Sequence, residues 1–100
     1  MENLTFNMKV AVDLALRDAR AKSLDENEYR IRGAAPIEVG RYLQELGFDM
    51  DDTDYDGIYD NVFTTYRKDG LCIMIDWDGW TGYVGVMGFH ADNYYGKSDC

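Results

Sequence analysis

The chain has 100 residues, of which 19 are acidic and 10 basic, giving a net charge of −9; 46% are hydrophobic and 14% aromatic. That length makes one domain with an adequate core, and the apolar and aromatic share excludes a disordered acidic tail. The charge opposes direct binding to nucleic acid or anionic membrane, and neither an apolar run of about 18 residues nor a signal-peptide pattern is present, so a soluble, non-exported protein is expected.

In chain order, Leu4, Phe6, Met8 and Val10 alternate as a strand would, but a helical period takes over from Asn7. Met8, Ala11, Val12, Ala15, Leu16 and Ala19 share one face, with Lys9, Asp13, Arg17 and Arg20 opposite. Asn7 is the expected N-cap of a helix over about residues 7–22. Ser23-Leu24-Asp25-Glu26 has capping-box spacing and predicts a short helix to about Tyr29. Pro36 fits the first position of another helix, with Ile37, Val39, Gly40, Leu43 and Leu46 inward, Gly47 past its end and Phe48 folding back.

From Ile58 the period becomes two. Ile58 to Tyr66, Leu71 to Trp77 and Trp80 to Phe89 read as three strands, joined by turns at Lys68-Asp69-Gly70 and Asp78-Gly79. Leu71, Ile73, Ile75 and Trp77 share one face of the middle strand, and Cys72, Met74 and Asp76 the other. The expected fold is α+β, with N-terminal helices packed on a three-stranded antiparallel meander in a single domain. An acidic loop at 49–57 precedes the meander and a polar tail at 90–100 follows it. Cys72 and Cys100 lack paired spacing and are read as free thiols, which predicts a cytoplasmic location.

Asp49 to Asp60 is the stretch that carries chemistry. Six of its twelve residues are aspartate, and no Lys or Arg lies between Arg41 and Arg67. Such a run is kept where it is solvated, where it holds a cation, or where it meets a basic partner. The cation reading has a definite pattern: Asp52, Asp54, Asp56 and Gly57 match positions 1, 3, 5 and 6 of an EF-hand loop. Ile58 then supplies the position-7 carbonyl and Asp60 falls at position 9, but Phe63 stands where the bidentate Glu belongs. Asp52, Asp54, Asp56, Ile58 and Asp60 are therefore the alternative Ca²⁺ set; the main reading needs no cofactor.

The partner reading rests on carboxylates interleaved with aromatic rings. Asp49, Asp51, Asp52, Asp54, Asp56 and Asp60 are the candidate phosphate surrogates, Tyr55 and Tyr59 the anchoring rings, and Asp76 and Asp78 a second patch. Carboxylates along a rigid surface can occupy a Lys/Arg-lined groove meant for nucleic acid, while Tyr and Trp contribute contact area at low entropy cost. This combination of small size, acidity and an Asp/Tyr-rich surface resembles phage or mobile-element proteins that block host defences, the DNA mimics among anti-restriction and anti-CRISPR proteins. The resemblance implies a stoichiometric inhibitor of a nucleic-acid-binding protein or ribonucleoprotein complex, acting in the host cytoplasm if phage-encoded. It transfers no residue role. A small structural or assembly protein, with the acids serving solubility, is a third reading.

Catalysis is not expected. His90 is the only histidine and Ser23 and Ser98 the only serines, so a Ser/His or Cys/His system has little to draw on. Gly79, Gly82, Gly85 and Gly88 recur every third residue and point to close packing or bulges rather than phosphate binding.

Overall fold

The computed structural model describes residues 7–25, 27–33, 36–56, 61–78 and 82–93; for 52–56, 61–62 and 78 it describes the backbone alone. Two helices, α1 (Met8–Arg20) and α2 (Pro36–Glu45), accompany five strands: β1 (Tyr29–Arg32), β2 (Asp49–Asp56), β3 (Asn61–Lys68), β4 (Leu71–Asp78) and β5 (Tyr83–His90). All neighbours are antiparallel, in the order β1-β5-β4-β3-β2. The α+β class holds, and the sheet has five strands rather than three. The predicted helix over residues 23–29 is absent: Ser23–Asp25 and Asn27–Glu28 are irregular, and Tyr29 opens β1. Asp49–Asp56, expected as a loop, is an edge strand. The last strand is described from Tyr83, after a turn at Gly82; the expected turn residue Gly79 and the expected strand start at Trp80 lie outside the described residues.

The helix ends follow their sequence signals. Asn7 Oδ1 accepts the Val10 N–H at 2.9 Å, which satisfies one of the orphan donors of α1. At the end of α2, Gly47 (φ 97°) donates to Gln44 O and Phe48 donates to Leu43 O, both at 3.0 Å. That pair of bonds is a Schellman motif, and it turns Phe48 into the core. The β3–β4 turn has Asp69 at φ 51° and Gly70 at φ 81°. Two left-handed residues in a row match the strand twist, as a type I′ hairpin requires.

Both helices pack on one face of the sheet. Ala11, Val12, Ala15 and Leu16 of α1 and Val39 and Leu43 of α2 form one core with Ile31, Tyr66, Ile73, Ile75, Val84 and Val86. Ala11, Ala15 and Ala19 are fully buried, so the α1 backbone lies close to β5. A Cβ on Gly88 would collide with the Ala15 carbonyl oxygen and come within 2.6 Å of its carbonyl carbon. The three-residue glycine spacing is thus a packing feature at Gly88, where α1 crosses β5.

Asp18, only 8% exposed, ties α1 to the start of β1. Its Oδ2 accepts the Tyr29 hydroxyl at 2.5 Å and Asn27 Nδ2 at 3.4 Å. Burial, and then the bond to Asp18, raise the Tyr29 pKa; burial raises that of Tyr66. A raised folded pKa on an acid that is neutral at pH 7 means that the unfolded chain loses its proton first. The stabilisation is therefore complete below about pH 10 and is lost as pH climbs through the folded value. Thermal melts from roughly pH 9 to 11 should fall steadily for the native chain and less steeply for Tyr29→Phe. An unchanged slope in that variant would remove Tyr29 from the effect.

Candidate functional site

The acidic segment is organised by one irregularity in β2. Asp49 opposes Arg67 and Met50 opposes Tyr66, but the next pair is Asp52 with Thr65, so Asp51 is an extra, bulged residue. Without the bulge, Asp49 would share its face with Thr53 and Tyr55, because side-chain direction alternates with period two. With it, Asp49, Asp52, Asp54 and Asp56 occupy one face, and Met50, Thr53 and Tyr55 the other.

The cross-strand register identifies these faces. Met50 pairs with Tyr66, which is in the core beneath the helices. Asp52 pairs with Thr65, and Thr65 with Met74. Met74 lies on the face of β4 opposite Ile73 and Ile75, which packs against neither helix. Continuing across the sheet, Asp54 leads through Phe63 to Asp76, and Asp56 through Asn61 to Asp78. The two patches expected from sequence therefore belong to one helix-free face, where Asp49, Asp52, Asp54, Asp56, Asp76 and Asp78 form a grid. Its backbone spacing is about 6.8 Å along a strand and about 10 Å across two strand intervals.

Unit charges held at the backbone spacing of about 6.8 Å in bulk water would repel by about 0.6 kcal/mol, and salt with a screening length of about 8 Å would reduce that further; Asp76 is half-buried, with its Oδ1 shielded from solvent. Edge position helps as well, since charged side chains on an edge strand discourage pairing with another chain. One cation sits at the rim: Arg67 Nη2 is 3.3 Å from Asp51 Oδ1 and opposes Asp49 across the ladder. Only strand pairing reveals that neutralising contact, because in sequence Arg67 is sixteen positions from Asp51.

The expected site divides as follows. Asp51 stands on the bulge beside Arg67, off the regular grid. Tyr55 pairs with Val62 in the ladder, and its side chain lies outside what the structure describes. Tyr59 and Asp60, with Gly57 and Ile58, lie outside the described residues. The backbone from Asp52 to Asp56 is extended, whereas the first five positions of an EF-hand loop curl around the ion. His90 Nδ1 accepts the Asp92 N–H at 3.1 Å in the turn that ends β5.

Cys72 corrects another expectation. It is fully buried and disulfide-bonded, not a free thiol. Disulfides persist chiefly in oxidising compartments, so the cysteines no longer support a cytoplasmic location. Among the described residues no helix is long and apolar enough to cross a membrane. No family model, curated protein or solved structure matches the chain.

Proposed function

We propose that this protein is a non-catalytic inhibitor whose acidic sheet face occupies the basic, nucleic-acid-binding groove of a partner protein or ribonucleoprotein complex. The observation that supports this reading is the shared face of Asp49, Asp52, Asp54, Asp56, Asp76 and Asp78. A hydrogen-bonded sheet that aligns these positions in register is a pre-organised backbone scaffold, so little backbone entropy is lost when a Lys/Arg surface docks. A net charge of −9 steers such a partner inward and repels nucleic acid itself. The phage anti-defence setting is the biological context in which this chemistry is used by proteins of similar size and charge. Binding should weaken steeply between about 50 and 200 mM salt; an affinity flat over that range would remove the electrostatic basis of the reading.

Calcium is the second reading, through Asp52, Asp54, Asp56, Asp60 and the Ile58 carbonyl. The extended β2 backbone disfavours it, since a metal loop must bring these groups to within about 2.3–2.6 Å of one ion. Calorimetric titration of metal-free protein with Ca²⁺, and with Mg²⁺ as control, is expected to show no site tighter than about millimolar. Micromolar binding accompanied by a raised melting temperature would make the segment a metal loop and displace the inhibitor reading.

A further inference from the structure

The two outer strands of the sheet carry opposite charge. Among the described residues, β1 has β5 as its one strand neighbour and β2 has β3. On β2, Asp49, Asp51, Asp52, Asp54 and Asp56 are acidic, with no base. On β1, Tyr29-Arg30-Ile31-Arg32 holds two bases and no acid. Register puts the two sets on one side of the sheet. Arg30 leads through Gly85 to Asp76, and Arg32 through Tyr83 to Asp78. Both therefore share the helix-free face with the Asp52, Asp54 and Asp56 positions. Both arginines are exposed. Arg30 Nε meets Glu28 Oε1 at 3.1 Å, and the Arg32 guanidinium lies 5.3 Å from the centre of the Tyr83 ring. A guanidinium engaged through one N–H, or through its flat face, still has donors for a carboxylate.

We propose that β1 of one copy of this chain pairs with β2 of a second, joining their sheets head to tail. Strand direction alternates across the sheet, so β1 and β2 of one copy run the same way. With the helix-free faces aligned, the joint is a parallel pair, and Arg30 and Arg32 fall beside two successive members of the Asp52, Asp54, Asp56 row. Cross-strand neighbours of opposite charge on one face favour pairing. The four residues of β1 fit within Asp52–Asp56, clear of the bulge at Asp51. Charge also selects this joint over the alternatives: β2 against β2 sets aspartate beside aspartate, and β1 against β1 sets arginine beside arginine. Because the joined surfaces differ, each added copy presents a new edge, and the assembly grows as a chain or closes into a ring. A parallel joint this short is weak, and a net charge of −9 on every copy opposes crowding, so assembly belongs to high protein concentration. No other protein takes part, and the association stands apart from the inhibitor reading.

The test needs only the purified full chain. In sedimentation, the weight-average mass of the native chain should rise to twice that of the monomer and beyond as concentration increases. Over the same range, backbone amide exchange should slow at residues 30–32 and 52–56 and stay unchanged in both helices. Arg30→Glu/Arg32→Glu makes β1 acidic, and Asp52→Lys/Asp54→Lys/Asp56→Lys makes β2 basic. Each variant alone should sediment as a monomer with a native far-UV spectrum. Mixed in equal amounts they should assemble again, because the acidic β1 of one meets the basic β2 of the other. The first variant lowers the net charge by four to −13 and the second raises it by six to −3. Both remain negative, so overall attraction between them cannot produce the rescue. Where either variant fails to fold, amide exchange in the native chain decides. A native chain that stays monomeric up to its solubility limit would overturn the proposal. So would assembly retained by either variant, slowed exchange only outside these two strands, or a mixture no heavier than its parts.

Discussion

Gly88→Ala should destabilise the protein by about 3 kcal/mol or more, beyond the usual range of overpacking, because the obstacle is backbone. The added methyl would overlap the Ala15 carbonyl oxygen and stand 3.2 Å from the Ala15 Cα. A side chain could rotate away from it, but a carbonyl inside a hydrogen-bonded helix cannot. Helix α1 would therefore have to lift off β5, taking Val12 and Leu16 away from Val84 and Val86. For a domain of this size each kcal/mol lowers the melting temperature by roughly 4–8 °C, so the loss should exceed about 12 °C. Gly85→Ala is the internal control. There the three atoms nearest an added Cβ all belong to the Glu28 side chain, whose Oε2 is 2.5 Å away and which is partly exposed, so this group can swing aside. That variant should lose less than about 1 kcal/mol. Equal melting temperatures for the two variants would mean that α1 does not approach β5 as closely as described.

The second large effect is expected on binding. Replacing Asp52, Asp54 and Asp56 together by Lys changes the charge by six units, from −9 to −3, and reverses the sign along the edge strand. Loss of three exposed ion pairs at up to about 1 kcal/mol each gives about 3 kcal/mol, or on the order of 100-fold in affinity. New like-charge contacts with the partner add to that. The fold should survive, because Lys is well tolerated on edge strands and the substitution breaks up a row of like charges. A far-UV spectrum and melting temperature close to native, with partner binding lost, is the expected pair of results. Retained binding would take the acidic strand out of the interface.

What could be read from sequence was whatever local chemistry decides. Asn7 capping, the Gly47 exit of α2, the Asp69-Gly70 hairpin and the inward set Leu71, Ile73, Ile75 and Trp77 are all set by neighbours within a few residues, and all appear in the fold. The edge strands were not legible, for two different reasons. Four residues of β1, Tyr29–Arg32, carry too short an alternation to outweigh a capping-box signal just before them. In β2, aspartate is a poor strand former, and the bulge at Asp51 sets Met50 three positions from Thr53, which erases the period-two pattern. Pairing with β3 overrides both. The acidic run was read as a candidate site from composition alone, whereas its alignment with the positions of Asp76 and Asp78 required the register. Cys72 shows the same limit: its bonding depends on chain return, which spacing along the sequence does not encode.

The central claim is that the acidic face competes with nucleic acid for a basic surface. The most direct measurement is capture of nucleic-acid-binding proteins on the immobilised chain, with and without excess duplex DNA or RNA, alongside the Asp52/Asp54/Asp56→Lys variant. The account predicts capture that nucleic acid displaces, that salt weakens and that the variant abolishes, and it predicts that the free protein blocks nucleic-acid binding by the captured partner. Capture that is identical for native chain and variant and indifferent to added nucleic acid would contradict it.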